Sequence, residues 1–521
     1  MAKPIQANSL STATALFQEG RFQEAHAAAA GLARGHGTQA VDATILAARV
    51  ELRFGTLDAV VSRLDSLERE AGERPTVLTL LGIALFRRGV RVRGLQSIED
   101  AYRRAKRSAD RAEAAYYRAW AAYSERLLDE ADRWITKALD EADGVVYARG
   151  LALSAWIAAG RADYVGAARH FRLALGALRT SRERDDDLVG RILHELAVYA
   201  AELPDPGLAE FVGVQLAQFT WPAAAQHGHF QTLLHYGIAL ESAGDVEGAL
   251  DAFDAAESIA GDEQPVLTAH VELERADLYR ILRERTAARR AMGRAVRMLR
   301  KADWSNATID DEMALLESSC TAARLDAPTA TEWLARYSAL TKKDEAWHTL
   351  ANDRRVQANE LHTRGIVEAA VGNRERGLSK LRDAFGIWQS LGYNRRAAYA
   401  LVDIAAFDDG AASSRVHKIL ARALNHPLLA QNTMAAAAPK GVSLTVGRDL
   451  PAAERRVLDA LCVGTSVREI AVQLNRSEFT VRNTLKRLFA RFEVRSSAAL
   501  VAKALNPPAA TSRESAAKAS R

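Results

Sequence analysis

The sequence predicts an all-α protein in two parts, a long array of helical repeats followed by a small basic helical domain. Three observations lead to this fold class. A glycine or short polar turn, followed by a helix with small and aromatic residues at helical spacing, recurs about every 35 residues. All of the excess positive charge lies in the last seventh of the chain. Between the two parts, a segment containing proline and glycine shows no sustained helical face.

Chain length agrees with this division. A chain of 521 residues is too long for one hydrophobic core, so at least two domains or an extended repeat array are expected. We predict the array over residues 1–424, a linker over 425–449, the small domain over 450–505 and a disordered basic tail over 506–521.

The helical repeats are clearest in two segments, which begin at Gly160 and Gly244. Each segment places a small residue, an aromatic residue and an alanine at intervals of +4 and +3, the spacing of one helix face. These residues are Ala167, Phe171 and Ala174 in the first segment and Ala249, Phe253 and Ala256 in the second. A third segment begins at Gly20, and weaker copies begin at Gly55, Gly89, Leu127 and Gly372.

A period of this length, with such turns and helices, resembles tetratricopeptide repeats. The resemblance implies an α-solenoid of paired antiparallel helices. The small residue lets the second helix approach the first, and the aromatic residue fills the gap to the next pair. Such arrays offer a concave surface to a protein, a peptide or a small effector, and no residue identifies which.

We predict no catalytic, cofactor or metal site, and expect the protein not to be an enzyme. The sequence has no G-x-x-x-x-G-K-[ST] motif, so a P-loop is not expected. His227, His229 and His235 lack the spacing of a metal-ligand set, since residues two apart point to different sides of a helix. Cys320 is interpreted as a buried small hydrophobe. The run Asp185–Asp187 is interpreted as a solvated turn between helices.

The sequence also predicts no membrane span and no secretion. Its longest apolar run, from Val77 to Phe86, is far shorter than the roughly 18 residues that a span requires. The amino-terminal segment lacks the apolar core of a signal peptide. Two cysteines in the whole chain do not provide a disulfide framework. We therefore expect a cytoplasmic protein.

The distribution of charge separates the small domain from the rest of the chain. Residues 449–521 contain 13 Lys and Arg against 7 Asp and Glu, whereas residues 1–448 contain 57 against 58. A net charge of +6 therefore lies on the last 73 residues, beside a nearly neutral body. This asymmetry is typical of a nucleic-acid-binding module attached to a neutral body.

Four helices are predicted in the small domain. The first begins near Pro451 and ends at Gly464. Residues 466–469 (SVRE) have the pattern of a capping box at the start of the second. The turn Asn475-Arg476-Ser477 leads into the third, with Ser477 as its cap. A fourth spans about residues 497–505.

The third helix has the features of a DNA-recognition helix. Val481, Leu485, Leu488 and Phe492 are spaced 4, 3 and 4 and predict one buried stripe. Its opposite side offers hydrogen-bonding groups that suit base edges in the major groove. The expected base-reading residues are Arg482, Asn483 and Lys486. The expected phosphate contacts are Arg476, Arg487, Arg491 and the helix end capped by Ser477.

In this region the sequence resembles the LuxR-type helix-turn-helix family, with no gap between about Leu450 and Ala504. The matching positions are Glu454, Val457-Leu458, Gly464, Ser466, Glu469-Ile470-Ala471, Leu474, Ser477, Thr480-Val481, Val494-Arg495-Ser496 and Leu500-Val501. The resemblance implies a four-helix domain that docks its third helix in the major groove and pairs through its fourth. It places base reading on Arg482, Asn483 and Lys486, and phosphate contacts on Thr480 and Arg468.

Three positions depart from the usual family pattern. Thr484 stands where the family usually has His, Arg456 where Glu is usual, and Phe492-Glu493 where Leu-Gly or Leu-Asn is common. These departures bear on the geometry at the helix end and on the operator sequence that is recognised.

These features together predict a sequence-specific transcription regulator associated with a bacterial nucleoid. Its expected partners are double-stranded DNA, an effector on the array and a second copy of the chain. The dimer contact is expected on the fourth helix, at Ala498, Leu500, Val501 and Leu505. The alternative is a tetratricopeptide scaffold whose carboxyl-terminal domain makes protein contacts only.

Overall fold

A computed structural model describes the helical array and part of the small domain. The described residues are 9–54, 56–71, 74–203, 205–222, 225–261, 264–305, 309–342, 353–408, 451, 454, 457–458, 467, 470–471, 474 and 476–492. Within these residues the chain forms helices and turns and no β-strand, so the predicted all-α class is confirmed. None of the described helices is long and apolar enough to cross a lipid bilayer.

The described part of the array consists of 21 α-helices. The first ten are α1 (Leu10–Gln18), α2 (Phe22–Leu32), α3 (Thr38–Phe54), α4 (Leu57–Ala71), α5 (Pro75–Arg87), α6 (Arg91–Arg104), α7 (Ser108–Ser124), α8 (Leu128–Glu141), α9 (Gly144–Gly160) and α10 (Tyr164–Thr180). The next eight are α11 (Asp186–Glu202), α12 (Pro206–Gln218), α13 (Gln226–Ala243), α14 (Val246–Ala260), α15 (Pro265–Ile281), α16 (Arg285–Lys301), α17 (Ile309–Ala323) and α18 (Ala327–Thr341). The last three are α19 (Arg354–Ala370), α20 (Arg374–Ser390) and α21 (Asn394–Phe407).

Consecutive helices pack as hairpins, which makes the array an α-solenoid of tetratricopeptide-like repeats. All seven repeat starts predicted from the sequence precede the second helix of a hairpin, namely α2, α4, α6, α8, α10, α14 and α20. The pattern did not reveal α12, α16 and α18. Two residues before the start of these helices, where most of the repeats that were found have glycine, the sequence has Pro204, Arg283 and Leu325, and two of the helices carry a proline in the first turn.

The predicted small and aromatic positions form the core between helices. Ala167, Phe171 and Ala174 are fully buried in α10. The Phe171 ring lies 5.5 Å from the ring of Trp156 in α9 and 6.1 Å from that of Tyr199 in α11. One aromatic side chain therefore joins its own hairpin to the next, as the repeat pattern predicts.

Two glycines, Gly82 and Gly94, let the backbones of α5 and α6 approach closely. A Cβ added at Gly94 in α6 would lie 2.7 Å from the Gly82 carbonyl oxygen and 2.7 Å from the Phe86 nitrogen, both of α5. These are backbone atoms of a packed helix and cannot move aside cheaply. The α5–α6 hairpin therefore requires glycine at this position.

We expect Gly94→Ala to lower the free energy of unfolding by about 1 to 3 kcal/mol, because the methyl group forces the two helices apart. Gly176→Ala in α10 is the matched control, since a Cβ there would meet nothing within 4 Å. The control is expected to stabilise by up to about 1 kcal/mol through helix propensity. Urea denaturation followed by circular dichroism compares the two variants, and equal destabilisation by both would contradict this packing.

The described residues of the small domain form a separate apolar cluster around a final helix, α22 (Glu478–Arg491). The predicted linker, the capping-box residues Ser466 and Glu469, the fourth helix and the tail lie outside the described residues. The predicted domain boundaries therefore stay predictions.

Candidate nucleic-acid interface

The start of α22 is fixed by the serine that the sequence predicted as its cap. Ser477 has extended backbone (φ −74°, ψ 151°), and its hydroxyl accepts a hydrogen bond from the Thr480 nitrogen at 3.2 Å. The turn before it is closed by the Arg476 nitrogen, which donates to the Ala471 carbonyl at 2.8 Å. Such a bond satisfies a carbonyl at the end of the preceding helical segment. The chain therefore enters α22 in one defined direction.

The buried side of α22 is the stripe that the 4, 3, 4 spacing predicted. Val481, Leu485, Leu488 and Phe492 are all buried. They pack in one cluster with the described residues Val457, Leu458, Ile470 and Ala471. Burying this stripe decides which side of the helix remains in solvent.

Thr484, the departure from the family pattern, is also buried. It is 5% exposed, and its hydroxyl donates to the Thr480 carbonyl at 3.0 Å, one turn back in the same helix. This bond satisfies the hydroxyl within the helix. The substitution therefore alters the inner side of α22, and the Thr484 hydroxyl also accepts a hydrogen bond from the Arg487 guanidinium at 3.5 Å.

The three predicted base-reading residues lie together on the side of α22 away from the core. Arg482 and Lys486 are exposed, and Asn483 is half-buried between them and the core. A guanidinium nitrogen of Arg482 lies 3.4 Å from a Glu478 carboxylate oxygen, while 66% of the Arg482 side chain remains exposed. Phe479 is 74% exposed on the preceding turn. Donor groups thus project from the first three turns of α22, and a major-groove helix contacts base edges with its amino-terminal part.

The predicted phosphate contacts are placed in two groups. Arg476, Ser477 and Thr480 are exposed at the amino-terminal end of α22. Arg487 and Arg491 flank Glu454, whose carboxylate is 3.9 Å from the first and 3.4 Å from the second. The side chains of Arg487 and Arg491 are 68% and 48% exposed, so both remain accessible to solvent beside Glu454.

Two groups of predicted site residues fall outside the described part of the chain. Arg468, the remaining predicted phosphate contact, is one of them. The predicted dimer contacts Ala498, Leu500, Val501 and Leu505 also lie outside it.

The array carries a second candidate site that sequence reasoning missed, a buried ionic cluster around α21. Helix α21 lies against the first helices of several hairpins, although more than 100 residues separate it from some of them. Arg396 pairs with Glu202 of α11 at 3.0 Å and with Glu317 of α17 at 2.7 Å. Arg395 lies 3.6 Å from Glu241 of α13 and 3.4 Å from Glu274 of α15.

The carboxyl-terminal half of α21 makes a second set of buried contacts. Asp403 lies 2.7 Å from a guanidinium nitrogen of Arg324 and 2.8 Å from Nε2 of His362. Although burial opposes ionisation, the Arg324 charge and these hydrogen bonds lower the pKa of the Asp403 carboxyl. Tyr399 donates its hydroxyl to Glu241 at 2.7 Å. One signal was present in the sequence, since Arg395, Tyr399 and Asp403 repeat at i, i+4 and share a face.

The interpretation of the Asp185–Asp187 run as a solvated turn is wrong for Asp185, whereas Asp187 is exposed. Asp185 is 6% exposed, and it caps α11 by accepting from the Leu188 nitrogen at 3.3 Å. It also lies 2.8 Å from Arg149 and 3.2 Å from Arg53. Arg53 and Arg149, from helices distant in the sequence, therefore contact the Asp185 carboxylate, and the residues next to Asp185 do not predict these contacts.

A groove of about 640 Å³ opens along the first helices of the central hairpins. Its aromatic lining comprises Trp120, Tyr123, Trp156 and Trp221, and its charged lining comprises Asp186, Asp187, Arg191 and Glu195. Of the three histidines considered in the sequence, His229 stacks on Trp221 with ring centroids 4.8 Å apart, whereas His235 is half-buried and its ring centroid lies 5.3 Å from that of His194. Cys320 is buried, 3.5 Å from a guanidinium nitrogen of Arg324.

A capped helix with an exposed cationic side and a buried apolar side is the arrangement expected of the recognition helix in a helix-turn-helix domain. Residues 449–504 match the family model described as bacterial regulatory proteins, luxR family. Residues 449–504 therefore belong to a luxR-family domain, which follows an array of tetratricopeptide-like helical hairpins.

The other comparisons add no functional information. No curated protein matches the chain. The chain is similar to a chain of the crystal structure of the APC/C hetero-tetramer Cut9-Hcn1, with 12% sequence identity and a TM-score of 0.28. This likeness covers 82% of the present chain and 93% of that one, and at this score it carries no argument.

Proposed function

We propose that the protein regulates transcription by reading duplex DNA with α22 while its array binds an effector or partner. The single observation that carries the proposal is the exposed side of α22. It presents Arg482, Asn483 and Lys486 from a capped helix whose opposite side is anchored in an apolar core. Arg and Lys suit the acceptors of guanine, and Asn suits adenine.

The alternative is that the same surface binds a protein. Salt dependence separates the two functions, because DNA binding releases counterions for each phosphate that is neutralised. We expect the affinity of the full chain for duplex DNA to fall by about 10³-fold or more between 50 and 200 mM salt if six or more phosphates are contacted. Fluorescence anisotropy with labelled duplexes measures this slope. A nearly flat salt dependence would favour the scaffold alternative.

Two features support a sensing role for the array. The groove lined by Trp120, Trp156 and Trp221 has the volume of a small-molecule or peptide site. Helix α21, the last described helix before the DNA-binding domain, is held by buried charges against the first helices of the hairpins. An occupant that alters these helices would alter the position of α21.

The proposed DNA-bound form is a dimer on a two-fold symmetric site with half-sites about 10 base pairs apart. The support is the family resemblance and the apolar residues Leu500, Val501 and Leu505 in the predicted fourth helix. Val501→Asp should abolish protection of the second half-site, because a desolvated carboxylate opposes pairing. Footprinting of folded wild-type and variant chains tests this. A single protected half-site for both would exclude the dimer.

A further inference from the structure

The ionic cluster at α21 contains more carboxylates than cations. The four carboxylates that contact Arg395 and Arg396 belong to Glu202, Glu241, Glu274 and Glu317. The four carboxylates therefore outnumber the two guanidinium groups within this set of described residues. Uncompensated buried charge is costly, so the cluster favours an additional cation.

A buried histidine faces two of these carboxylates. His270 of α15 is 6% exposed. Its Nε2 lies 3.3 Å from Oε2 of Glu317 and 3.8 Å from Oε1 of Glu274. Neither ring nitrogen has a hydrogen-bond partner among the described residues. Buried polar atoms normally have a partner, and the 3.3 Å approach of Glu317 lacks hydrogen-bond geometry, so a ligand between the imidazole and the carboxylates would satisfy these groups.

In both Glu274 and Glu317, one carboxylate oxygen lies near an arginine and the other faces the imidazole of His270. Oε1 of Glu317 accepts from Arg396 at 2.7 Å and from Asn359 at 3.3 Å, while its Oε2 faces His270. Oε2 of Glu274 lies 3.4 Å from Arg395, while its Oε1 faces His270. The arginines thus orient both carboxylates without occupying the oxygens nearest the imidazole. Metal sites use such outer hydrogen bonds to hold their ligands.

We propose that His270 Nε2, Glu274 Oε1 and Glu317 Oε2 bind a divalent transition-metal ion, with water completing its coordination. The three ligand atoms lie within 4.8 Å of one another. Bonds of about 2.1 Å in a tetrahedral site separate ligand atoms by about 3.4 Å. The distance of 3.3 Å between His270 Nε2 and Glu317 Oε2 is close to this separation. The distance of 3.8 Å between His270 Nε2 and Glu274 Oε1 reaches it after a small rotation of the Glu274 carboxylate.

The ligand set selects the class of metal. An imidazole with two carboxylates suits Zn²⁺, Mn²⁺ or Fe²⁺. Ca²⁺ and Mg²⁺ prefer oxygen ligands alone, and Ca²⁺ takes six or more of them. His270 and Glu274 are at i and i+4 on α15, so one helix face supplies two ligands and α17 supplies the third.

Calorimetric titration of the tag-free, chelator-treated full chain with ZnCl₂ tests the site. We expect one ion per chain and an increase in Tm. His270→Gln and Glu317→Gln should each weaken binding by about 100-fold or more, since losing a ligand costs more than losing an outer partner. Glu241→Gln is the matched control, because it removes the same charge beside Arg395 but no atom near His270. The control should bind within a few-fold of wild type.

A second measurement uses the unaltered chain and does not depend on variant folding. Fe²⁺ with ascorbate and peroxide cleaves the backbone beside a bound ion, so fragments ending near residues 270 and 317 are expected. Absence of stoichiometric Zn²⁺ binding would overturn the proposal. Unchanged binding by a folded His270→Gln chain, or cleavage confined to other positions, would also overturn it.

Discussion

Asp403→Ala is expected to destabilise the carboxyl-terminal half of the array by about 3 to 5 kcal/mol, the range for breaking a buried ion pair from one side. The carboxylate is 5% exposed and contacts Arg324 at 2.7 Å and His362 at 2.8 Å. Removing it leaves the Arg324 guanidinium, itself 8% exposed, with much less compensation for its charge. Helix α21 then loses a principal contact with α17 and α19.

Denaturation in urea measures this effect, and hydrogen exchange locates it in α17, α19 and α21. Asp129→Ala is the matched control, since Asp129 is 90% exposed and pairs with Arg161 at 2.7 Å. An exposed pair of this kind contributes at most about 1 kcal/mol. Equal losses for both variants would show that α21 is not held by its buried charges.

If the array controls the DNA-binding domain through α21, the folded Asp403→Ala chain should also differ from wild type in operator affinity.

Arg482→Ala is expected to cost about 1 to 3 kcal/mol of specific DNA binding and to relax preference at one base pair. Its side chain is 66% exposed on the outer side of α22 and is free to reach a base edge apart from its contact with Glu478. Arg487→Ala is the control on the same helix. Because Arg487 lies at the flank beside Glu454, its loss should weaken binding to all sequences more evenly.

Anisotropy titrations against operator and random duplexes compare the two variants. The ratio of specific to non-specific affinity should fall for Arg482→Ala and stay nearly constant for Arg487→Ala. Equal losses on both duplexes for both variants would mean that α22 does not lie in the groove as proposed.

The local features of both parts could be predicted from the sequence because they depend on short-range rules. The spacing of Val481, Leu485 and Leu488 fixes the buried side of α22, and Ser477 caps its start whatever surrounds it. The Ala167, Phe171 and Ala174 triplet likewise identified a helix that is buried against two neighbours.

The long-range features could not be predicted, because partners far apart in sequence create them. Nothing near Asp185 reveals that Arg53 and Arg149 surround it. The contacts of Arg396 with Glu202 and Glu317 require α21 to pack against helices whose contacting residues lie 194 and 79 residues earlier, respectively. Hairpins α11–α12, α15–α16 and α17–α18 were missed because their second helices start without glycine.

Selection of bound duplexes from a random pool tests the central proposal most directly, that the outer side of α22 reads base sequence. The full chain and an Arg482→Ala, Asn483→Ala, Lys486→Ala variant are carried through the same rounds. We expect the wild-type chain to enrich a defined motif, repeated with two-fold symmetry about 10 base pairs apart, and the variant to enrich none. Enrichment of the same motif by both chains, or of no motif by the wild-type chain, would contradict the assignment.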